Sequence, residues 1–399
     1  MTRIKIFAIW LGLGAAIYAE TDPWFYLTWQ RDPTTTMTVS WLGESESSQT
    51  LQWRKIEAGN WHTSEGTSAP FPHTAKTLTQ AELAGLESDR VYEFRLGQGG
   101  AVRRFRTLPE KLTRPLTFIE GGDTQNGPVL ESMMRMAASR DPAFVVIGGD
   151  LTNDDGKPES APWVKRFFRS IHENLVTPDG RMIPVVVCIG NHDLSRKNQH
   201  LLNDAELPLT RAERRETAPY FLAAWPFPGE QGYGVLDVGD YLSLVFLDTN
   251  HFNAVDGPQL DWLKKVLDVR RGVPHLFPVY HVPAYPGVRD IRDELSQKIR
   301  RTWCPLFDNA RVEVAFEHHE HAFKVTHPMR GGQKAEDGVV YLGGGAWAAE
   351  LRNPRSPDNE PHLAKTMKVH HVFEVILKPG GRQVRALDLE GKEIYELGP

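Results

Sequence analysis

The clearest chemical signal in the sequence is an apolar run that ends in three polar side chains. Residues Val185–Ile189 are all apolar, and after one glycine come Asn191, His192 and Asp193. A continuous apolar run of this length is typical of a buried parallel strand. Ligands of open α/β sheets bind beyond the carboxyl ends of such strands. We therefore expect these three polar side chains to lie at a functional site.

Four more stretches of the chain have the same form, an apolar run followed closely by Asp or His. They are residues 116–123, 144–150, 277–281 and 312–321, which lead to Asp123, Asp150, His281, His319 and His321. Five such strand ends in one order indicate a shared cluster of nitrogen and oxygen atoms. Imidazole nitrogens and carboxylate oxygens of this kind are ligands for divalent metal ions.

The ligand set is large enough for two metal ions. Two ions about 3.5 to 4 Å apart can clamp the attacking and leaving oxygens of an in-line displacement at phosphorus. We expect Asp150 to bridge the ions, because it lies at the centre of the motif order and its carboxylate has two oxygens to share. The other expected ligands are Asp123 and His321 for the first ion and Asn191, His281 and His319 for the second.

The charge of such a site favours a phosphate ester as substrate. Two divalent ions, two carboxylates and one bridging hydroxide leave it at about +1. Metal binding also lowers the pKa of water, so the bridging hydroxide would attack phosphorus at neutral pH. A serine-hydrolase triad is not indicated, because the sequence has no nucleophile-elbow motif.

The elements that must position these ligands belong to residues 116–399. Strand patterns alternate there with helical patterns, which predicts an α/β domain of four layers, with two facing mixed sheets flanked by helices. We expect the late strand patterns, residues 339–342, 372–377 and 383–389, to complete the second sheet. The long polar segment 194–239 interrupts the pattern, and loops of this length are usually functional insertions or lids.

Residues 20–108 carry a different pattern, with short alternating runs and no helical periodicity. They predict an all-β sandwich of the fibronectin type III kind, with Trp41 as its core tryptophan and Tyr92 in a tyrosine corner. A proline-bracketed linker, residues 109–115, follows. The tryptophans of this domain, Trp24, Trp29, Trp53 and Trp61, are expected in packing more often than in glycan stacking.

The N-terminal segment, the net charge and the cysteines indicate the compartment of the protein and the kinds of partner it can have. Residues 1–19 combine a positive start, an apolar run and a small residue before Glu20, which predicts a secretory signal peptide and a secreted or periplasmic protein without a stable membrane span after cleavage. The net charge of -5 argues against nucleic acid as a partner. Cys188 and Cys304 lie in separate apolar patterns, so we expect two buried free thiols.

The ordered motifs resemble those of the calcineurin-like metallophosphoesterase superfamily. With a fibronectin type III-like domain in front, the resemblance is to purple acid phosphatases and their bacterial relatives. It implies a metal-dependent phosphoric ester hydrolase with two divalent or trivalent ions of Fe, Zn or Mn. It also implies that His192, which follows the ligand Asn191, binds the phosphate and protonates the leaving group, and Asp193 is expected to orient it.

Three residues depart from the family pattern. Gln125 stands where many members have a histidine ligand, and it either ligates through its amide oxygen or leaves a water there. Asn153 replaces the tyrosine of purple acid phosphatases, so we expect no purple colour and no particular preference for ferric iron. His318 replaces a glycine, which predicts added bulk and a substrate-binding donor at the rim. Tyr285, close after His281, is a further candidate for substrate contact.

Two alternatives stay open at this point. The chain could be a catalytically weak cell-surface binding protein that keeps the fold and uses its aromatic first domain, or a phosphodiesterase rather than a monoesterase. His251 follows a predicted strand end at Asp248 and faces the cleft in one interpretation, although no ligand spacing supports it. The metals, the natural substrate and the oligomeric state are not determined by the sequence.

Overall fold

The structure is a computed structural model and describes residues 23–44, 49–195 and 207–398. The predicted signal peptide lies outside the described residues, as does part of the 194–239 insertion. No helix among the described residues is both long and apolar enough to cross a bilayer. Cys188 and Cys304 are buried free thiols, which confirms that prediction.

The N-terminal domain is built from strands alone. Its eight described strands are Trp24–Thr28 (β1), Thr36–Gly43 (β2), Thr50–Lys55 (β3), His62–Glu65 (β4), Thr67–Pro70 (β5), Thr77–Ala84 (β6), Val91–Leu96 (β7) and Arg103–Arg106 (β8). They form two four-stranded sheets, in the orders β1-β2-β6-β5 and β4-β3-β7-β8. Trp41 is fully buried in the core, and the hydroxyl of Tyr92 accepts a hydrogen bond from the backbone N–H of Glu87 at 2.8 Å. Both features confirm the predicted sandwich.

The second part of the chain mixes strands and helices. Its described strands are Leu116–Gly121 (β9), Phe144–Ile147 (β10), Val185–Val187 (β11), Gly234–Val238 (β12), Leu242–Leu247 (β13), His275–Tyr280 (β14), Val314–Glu317 (β15), Phe323–Thr326 (β16), Met329–Arg330 (β17), Gln333–Lys334 (β18), Val340–Gly343 (β19), Leu363–Met367 (β20), His371–Lys378 (β21), Gly381–Asp388 (β22) and Glu393–Leu397 (β23). Its described helices are Pro128–Ser139 (α1), Ala161–Asn174 (α2), Arg211–Thr217 (α3), Pro219–Ala224 (α4), Pro258–Asp268 (α5), Glu294–Thr302 (α6) and Cys304–Ala310 (α7), with single 3₁₀ turns at Pro158–Ser160 and Gly229–Gln231.

Two mixed sheets face each other, as predicted. Among the described residues the first has the order β11-β10-β9-β21-β22-β23 and the second β12-β13-β14-β15-β19-β16-β20. Aromatic rings fill the space between them: Phe118 of the first sheet lies 6.0 Å, centroid to centroid, from Phe277 of the second, and Phe316 lies 6.1 Å from Phe373. Strands β9, β10 and β11 are parallel, and so are β13, β14, β15 and β19. Their carboxyl ends therefore lie at one edge of the domain.

The late strands do not all join the second sheet, which corrects that expectation. Strand β19 does, but β21 pairs antiparallel with β9 in the first sheet, with Val375 opposite Phe118, and β22 and β23 extend it. The reason is that β9 would otherwise be an edge strand, and β21, with buried residues on both faces, covers it.

The helices cover the outer faces of the sheets. On the first sheet, α1 and α2 bury Leu130, Met133 and Phe167 against Ile119 and Val145. On the second sheet, α5, α6 and α7 contribute to a separate buried cluster. Each begins with a proline in its first turn or with a polar cap: α1 and α5 carry proline, and Asp293 caps α6 through the N–H of Ser296 at 3.0 Å.

The N-terminal domain packs through β1 against α2 and against β11, the end strand of the first sheet. The ring of Tyr26 contacts Phe168 and Trp225, with centroids 4.9 and 5.2 Å away, and its hydroxyl donates to the carbonyl of Ala224 at 2.7 Å. Trp29 packs edge-on against Phe144. The other tryptophans have partners within the domain: Trp53 stacks on His62, the Trp61 ring carries the guanidinium groups of Arg54 and Arg95, and Lys76 covers Trp24. These rings are engaged in packing, as expected.

Candidate metal centre

Two triads of ligand-type side chains meet at the carboxyl ends of the parallel strands. One consists of Asp150, His281 and His319, the other of Asp123, Asp150 and His321, and within each triad the ligand atoms lie within 4.8 Å of one another. Asp150 belongs to both. Each residue follows the end of a strand, so the fold places at one point side chains that are distant in sequence. The arrangement has the form of two metal sites that share one carboxylate.

In the first triad, Asp150, His281 and His319, atoms that can accept hydrogen bonds lie close to one another. Nε2 of His281 lies 3.3 Å from Oδ1 of Asp150, 3.1 Å from Oδ1 of Asn191 and 3.2 Å from Nδ1 of His319. Nδ1 of His281 is 2.9 Å from the carbonyl of Gly148, which can only accept, so that nitrogen carries the proton of the neutral ring. The lone pair of Nε2 then points at the cluster, as in a metal-binding histidine.

The second triad is arranged in the same way, with an acceptor nitrogen of a histidine beside a carboxylate oxygen. Nδ1 of His321 donates to the carbonyl of Glu350 at 3.0 Å, which leaves its Nε2 as an acceptor 3.0 Å from Oδ1 of Asp123. That carboxylate oxygen makes no hydrogen bond among the described residues, and neither does Oδ2 of Asp150, although both are buried. Buried acceptors that face each other need a positive charge between them.

The pKa values of the clustered side chains also indicate a site for a positive charge. Burial disfavours the charged form of His281, yet Asp150 overrides it and raises the pKa of the imidazole to about 9. Burial would raise the pKa of Asp150, but His281 and the neighbouring histidines hold it well below its usual range. Burial and His281 together hold the pKa of His319 well below its usual value. A bound cation would interact favourably with the same carboxylate that raises the pKa of His281, and it would take the place of a proton there.

The donor set fits two metal ions. Imidazole nitrogens with carboxylate and amide oxygens suit Zn²⁺, Mn²⁺ and iron, whereas an all-oxygen set would suit Mg²⁺ or Ca²⁺. Asp123 and His321 would hold one ion, Asn191, His281 and His319 the other, and Asp150 both.

Local backbone geometry supports these positions. Asp123, Asp150, His319 and His321 all have positive φ, between 52° and 72°, a region that residues other than glycine rarely adopt and that clusters at functional sites. A Cβ on Gly190 would lie 2.4 Å from Oδ1 of Asp150, so only glycine fits there.

His192 has a different carboxylate partner from the one expected. Its Nδ1 lies 2.7 Å from Oδ1 of Asp155, and its backbone N–H donates to Oδ1 of Asp150 at 2.7 Å. Asp193 does not contact the ring. It is buried and accepts hydrogen bonds from the N–H groups of Asp150, Leu151 and Gly190, at 3.0, 2.8 and 2.8 Å. Asp193 therefore ties together the two loops that carry the ligands, and Asp155 orients His192.

His318 and Tyr285 are not at the rim, so the prediction of substrate contact is wrong for both. His318 is buried between the sheets, with Nε2 2.5 Å from Oε1 of Glu120 and Nδ1 2.8 Å from the carbonyl of Tyr280. It points away from the ligands because successive residues after a strand alternate in direction. Tyr285 is buried in the cluster behind the second sheet, with its ring centroid 4.6 Å from that of Tyr341.

Gln125 lies two residues after Asp123 on the same loop. It is half-buried, has a φ of 48°, and its side chain makes no hydrogen bond among the described residues. Asn153 follows Asp150 at the position expected for a tyrosine, and its Oδ1 is buried without a partner in the described part of the chain. The side-chain oxygens of both amides therefore accept no hydrogen bond among the described residues.

Sequence reasoning missed Asp155 and undervalued His251. Asp155 belongs to the run Asp154-Asp155-Gly156, whose second carboxylate close after Asp150 was the available signal. His251 is buried with its ring centroid 5.9 Å from that of His281, and its Nδ1 lies 3.1 Å from Oδ1 of Asp248. It flanks the first triad at His281, and the pairing of β13 with β14 brings it there.

Comparison with known families agrees with the geometry. The family model described as Calcineurin-like phosphoesterase matches residues 122–323, about half of the chain. The model described as Purple acid Phosphatase, N-terminal domain matches residues 24–107. Together they cover the sandwich and all of the candidate ligands.

Relatives of known name are distant. Purple acid phosphatase 18 of Arabidopsis thaliana is 22% identical over 326 residues, covering 77% of this chain and 67% of the relative. Purple acid phosphatase 22 of the same plant is 23% identical over 262 residues, covering 64% of this chain and 55% of the relative. The chain thus spans little more than half of that second relative.

Solved structures share the fold. Purple acid phosphatase PPD1 from yellow lupin (Lupinus luteus) has a TM-score of 0.74 at 14% identity, covering 94% of this chain and 74% of its own. The structure of PhoD has a TM-score of 0.68 at 12% identity, covering 94% and 93%. The chain therefore belongs to the calcineurin-like phosphoesterases, as a purple acid phosphatase-like member with the N-terminal domain of that group, and is a metal-dependent phosphoric ester hydrolase.

Proposed function

We propose that the protein is a secreted phosphatase with a dinuclear metal centre. The observation that carries the proposal is the shared carboxylate of Asp150, which belongs to two triads whose ligand atoms face one another as acceptors. Bound metal ions would neutralise charge on the phosphoryl oxygens and lower the pKa of the attacking water. The residues of the chain supply the rest of the chemistry.

His192 is the proposed general acid. Its backbone N–H is held by Asp150, so the ring stands beside the centre, and its side chain is 16% exposed, so it can meet a substrate that enters from solvent. As the bond between phosphorus and the leaving oxygen breaks, Nε2 gives its proton to that oxygen. Asp155, at Nδ1, keeps the ring in place and stabilises its charged form before transfer.

Asn191 would serve both metal and substrate. Its Oδ1 lies 3.1 Å from Nε2 of His281, which belongs to the ligands expected for the second ion. Its amide N–H₂ is a donor suited to a phosphoryl oxygen. The residue would thus bind the second ion through its oxygen and the phosphate through its N–H₂ group.

The leaving group gives the sharpest test of the acid role. We expect His192→Asn to keep its metal content and to lose activity about 10²-fold or more on an alkyl phosphate, whose leaving oxygen needs a proton. The loss on p-nitrophenyl phosphate should be several-fold smaller, since that leaving group departs as an anion. Equal losses on both esters would argue against His192 as the acid. An absence of turnover on any mono- or diester by wild-type protein loaded with Zn²⁺, Mn²⁺ or Fe²⁺ would argue against the function.

Secretion rests on the sequence of residues 1–19. We expect the exported protein to begin at Glu20, which mass spectrometry of the mature N-terminus in a secreting host would show. Retention of Met1 in the exported protein would contradict this prediction.

A further inference from the structure

Two arginines stand beside the metal centre on adjoining loops. Nη1 of Arg289 donates to the carbonyl of His319 at 3.3 Å. The backbone N–H of Arg352 donates to the carbonyl of His321 at 3.0 Å. Each arginine is thus joined by a hydrogen bond to one of the two candidate ligand histidines, and both side chains are only half-buried.

The loops that carry the arginines are firmly built. Glu320, between the two histidines, is buried and accepts hydrogen bonds from the backbone N–H groups of Gly287, Val288 and Arg289, the last at 2.7 Å. The N–H of Arg355 in turn donates to the carbonyl of Gly287 at 2.7 Å, which sets the second loop against the first. The positions of both arginines therefore follow from the same strand end that positions the ligands.

Among the described residues, neither guanidinium has a counter-ion closer than 4.0 Å. The carboxylate nearest to Arg289 is that of Glu320, 4.0 Å from Nη1, and its oxygens already accept three backbone hydrogen bonds. The side chain of Arg352 makes no hydrogen bond or ion pair within the described ranges. Burial and the neighbouring charge of Arg352, opposed by Glu320, hold the pKa of Arg289 below its ordinary value.

The other charged groups nearby are already engaged. Asp290 pairs with Arg292 at 2.7 Å, and Glu360 pairs with Arg355 at 2.7 Å. Glu350 is exposed, and its carbonyl accepts a hydrogen bond from His321. The charge of Arg352 acts against that of Arg289, and the distant carboxylate of Glu320 compensates it only in part. A guanidinium presents a planar set of N–H donors that fits phosphate oxygens two at a time.

We propose that Arg289 and Arg352 form a second anion subsite, which binds a second phosphoryl group of the substrate while the first one lies at the metal centre. The preferred substrates are then esters that carry two phosphoryl groups, such as a sugar bisphosphate. A carboxylate would fill the subsite less well, because it offers fewer oxygens and less charge to two guanidinium groups. This inference rests on the proposed phosphatase function and names its substrate class.

Selectivity between two esters of the same sugar tests the subsite. For a sugar bisphosphate and the matching monophosphate, we expect the ratio of kcat/KM values to fall about tenfold or more in Arg289→Gln and in Arg352→Gln, mainly through KM of the bisphosphate. Arg292→Gln is the matched control. Arg292 lies on the same loop but is 82% exposed and paired with Asp290, so the ratio should not change.

A binding measurement separates failure of the subsite from failure of the function. By isothermal titration calorimetry, metal-loaded wild-type protein should bind inorganic pyrophosphate more tightly than orthophosphate, and the two variants should lose that preference. If wild-type protein hydrolyses no ester but keeps the pyrophosphate preference, the proposed function fails and the subsite stands. If both variants fold, as judged by circular dichroism, and neither the kinetic ratio nor the pyrophosphate preference changes, the subsite is wrong.

Discussion

The carboxylate of Asp155 lies 2.7 Å from Nδ1 of His192, on the side of the ring away from the nitrogen proposed to reach the substrate. Asp155 stands five residues after Asp150, on the loop that follows β10, whereas His192 follows β11. The backbone N–H of Asp155 also donates to the carbonyl of His192 at 3.0 Å. These two hydrogen bonds add to those that Asp150 and Asp193 make between the two loops, so the orientation of His192 depends on the same loop that carries the shared ligand.

Substitution of Asp155 tests its positioning role. Asp155→Asn removes the charge that stabilises the protonated ring, and we expect kcat on an alkyl phosphate to fall about 10- to 100-fold with metal content unchanged. The alkaline limb of the pH–rate profile, where a general acid loses its proton, should move to lower pH as well, which a purely structural role would not cause. Asp193→Asn is the comparison: because Asp193 accepts three backbone hydrogen bonds, its loss should lower the unfolding temperature and the metal content together.

Metal stoichiometry distinguishes shared from single-site ligands. We expect Asp150→Asn to reduce bound metal from two ions to less than one, since Asp150 belongs to both triads, whereas His321→Ala should keep one ion. Inductively coupled plasma mass spectrometry after dialysis and reloading would measure both. His362→Ala is a control, because His362 is buried away from the centre and contacts the carbonyl of Pro286. Equal metal loss in Asp150→Asn and His321→Ala would rule out the bridging arrangement.

A histidine at position 125 should raise the metal affinity of the site that contains Asp123 and His321. An imidazole is a better ligand for Zn²⁺ than an amide oxygen, so we expect Gln125→His to bind the more weakly held ion about tenfold more tightly. Competition against a chelator gives the affinity. Gln125→Ala separates the two interpretations of the wild-type residue: weaker binding shows that the amide ligates, and unchanged binding shows that a water takes that place.

Acid should destabilise the fold through a buried histidine far from the metal centre. Burial and the neighbouring Arg382 lower the pKa of His275 to about 4, below the value of about 6.5 expected in the unfolded chain. The unfolded state therefore binds more protons between these pH values, and the stabilisation present above pH 6.5 declines as the pH falls towards 4, by at most about 3 kcal/mol. Urea unfolding at pH 7 and pH 4.5 should show a smaller loss for His275→Gln than for wild type. An identical loss in both would mean that other groups carry the acid sensitivity.

Local patterns were enough to identify the two fold classes and the ligand types. Alternation of apolar residues predicts strands within a few residues, and a polar residue at the end of an apolar run predicts which side chains lie at the edge of a sheet. Asp123, Asp150, His281, His319 and His321 were found in this way, and the structure brings them together.

The same patterns could not predict which sheet a late strand would join. Strand β21 has an apolar sequence that would suit either sheet, and its place beside β9 depends on which edge is left open after the parallel strands have formed. Hydrophobic pattern specifies burial, but it does not specify the neighbour.

Sequence alone determined the metal-binding chemistry, because ligand identity and strand-end position are local properties of the chain. Tertiary structure alone decided that Asp155 rather than Asp193 holds His192, that His318 is buried against Glu120, and that Arg289 and Arg352 each donate to the carbonyl of a ligand histidine. The physical reason is that a hydrogen bond or an ion pair depends on distances of a few ångströms between loops that are tens to hundreds of residues apart, and only the packing of the two sheets sets those distances.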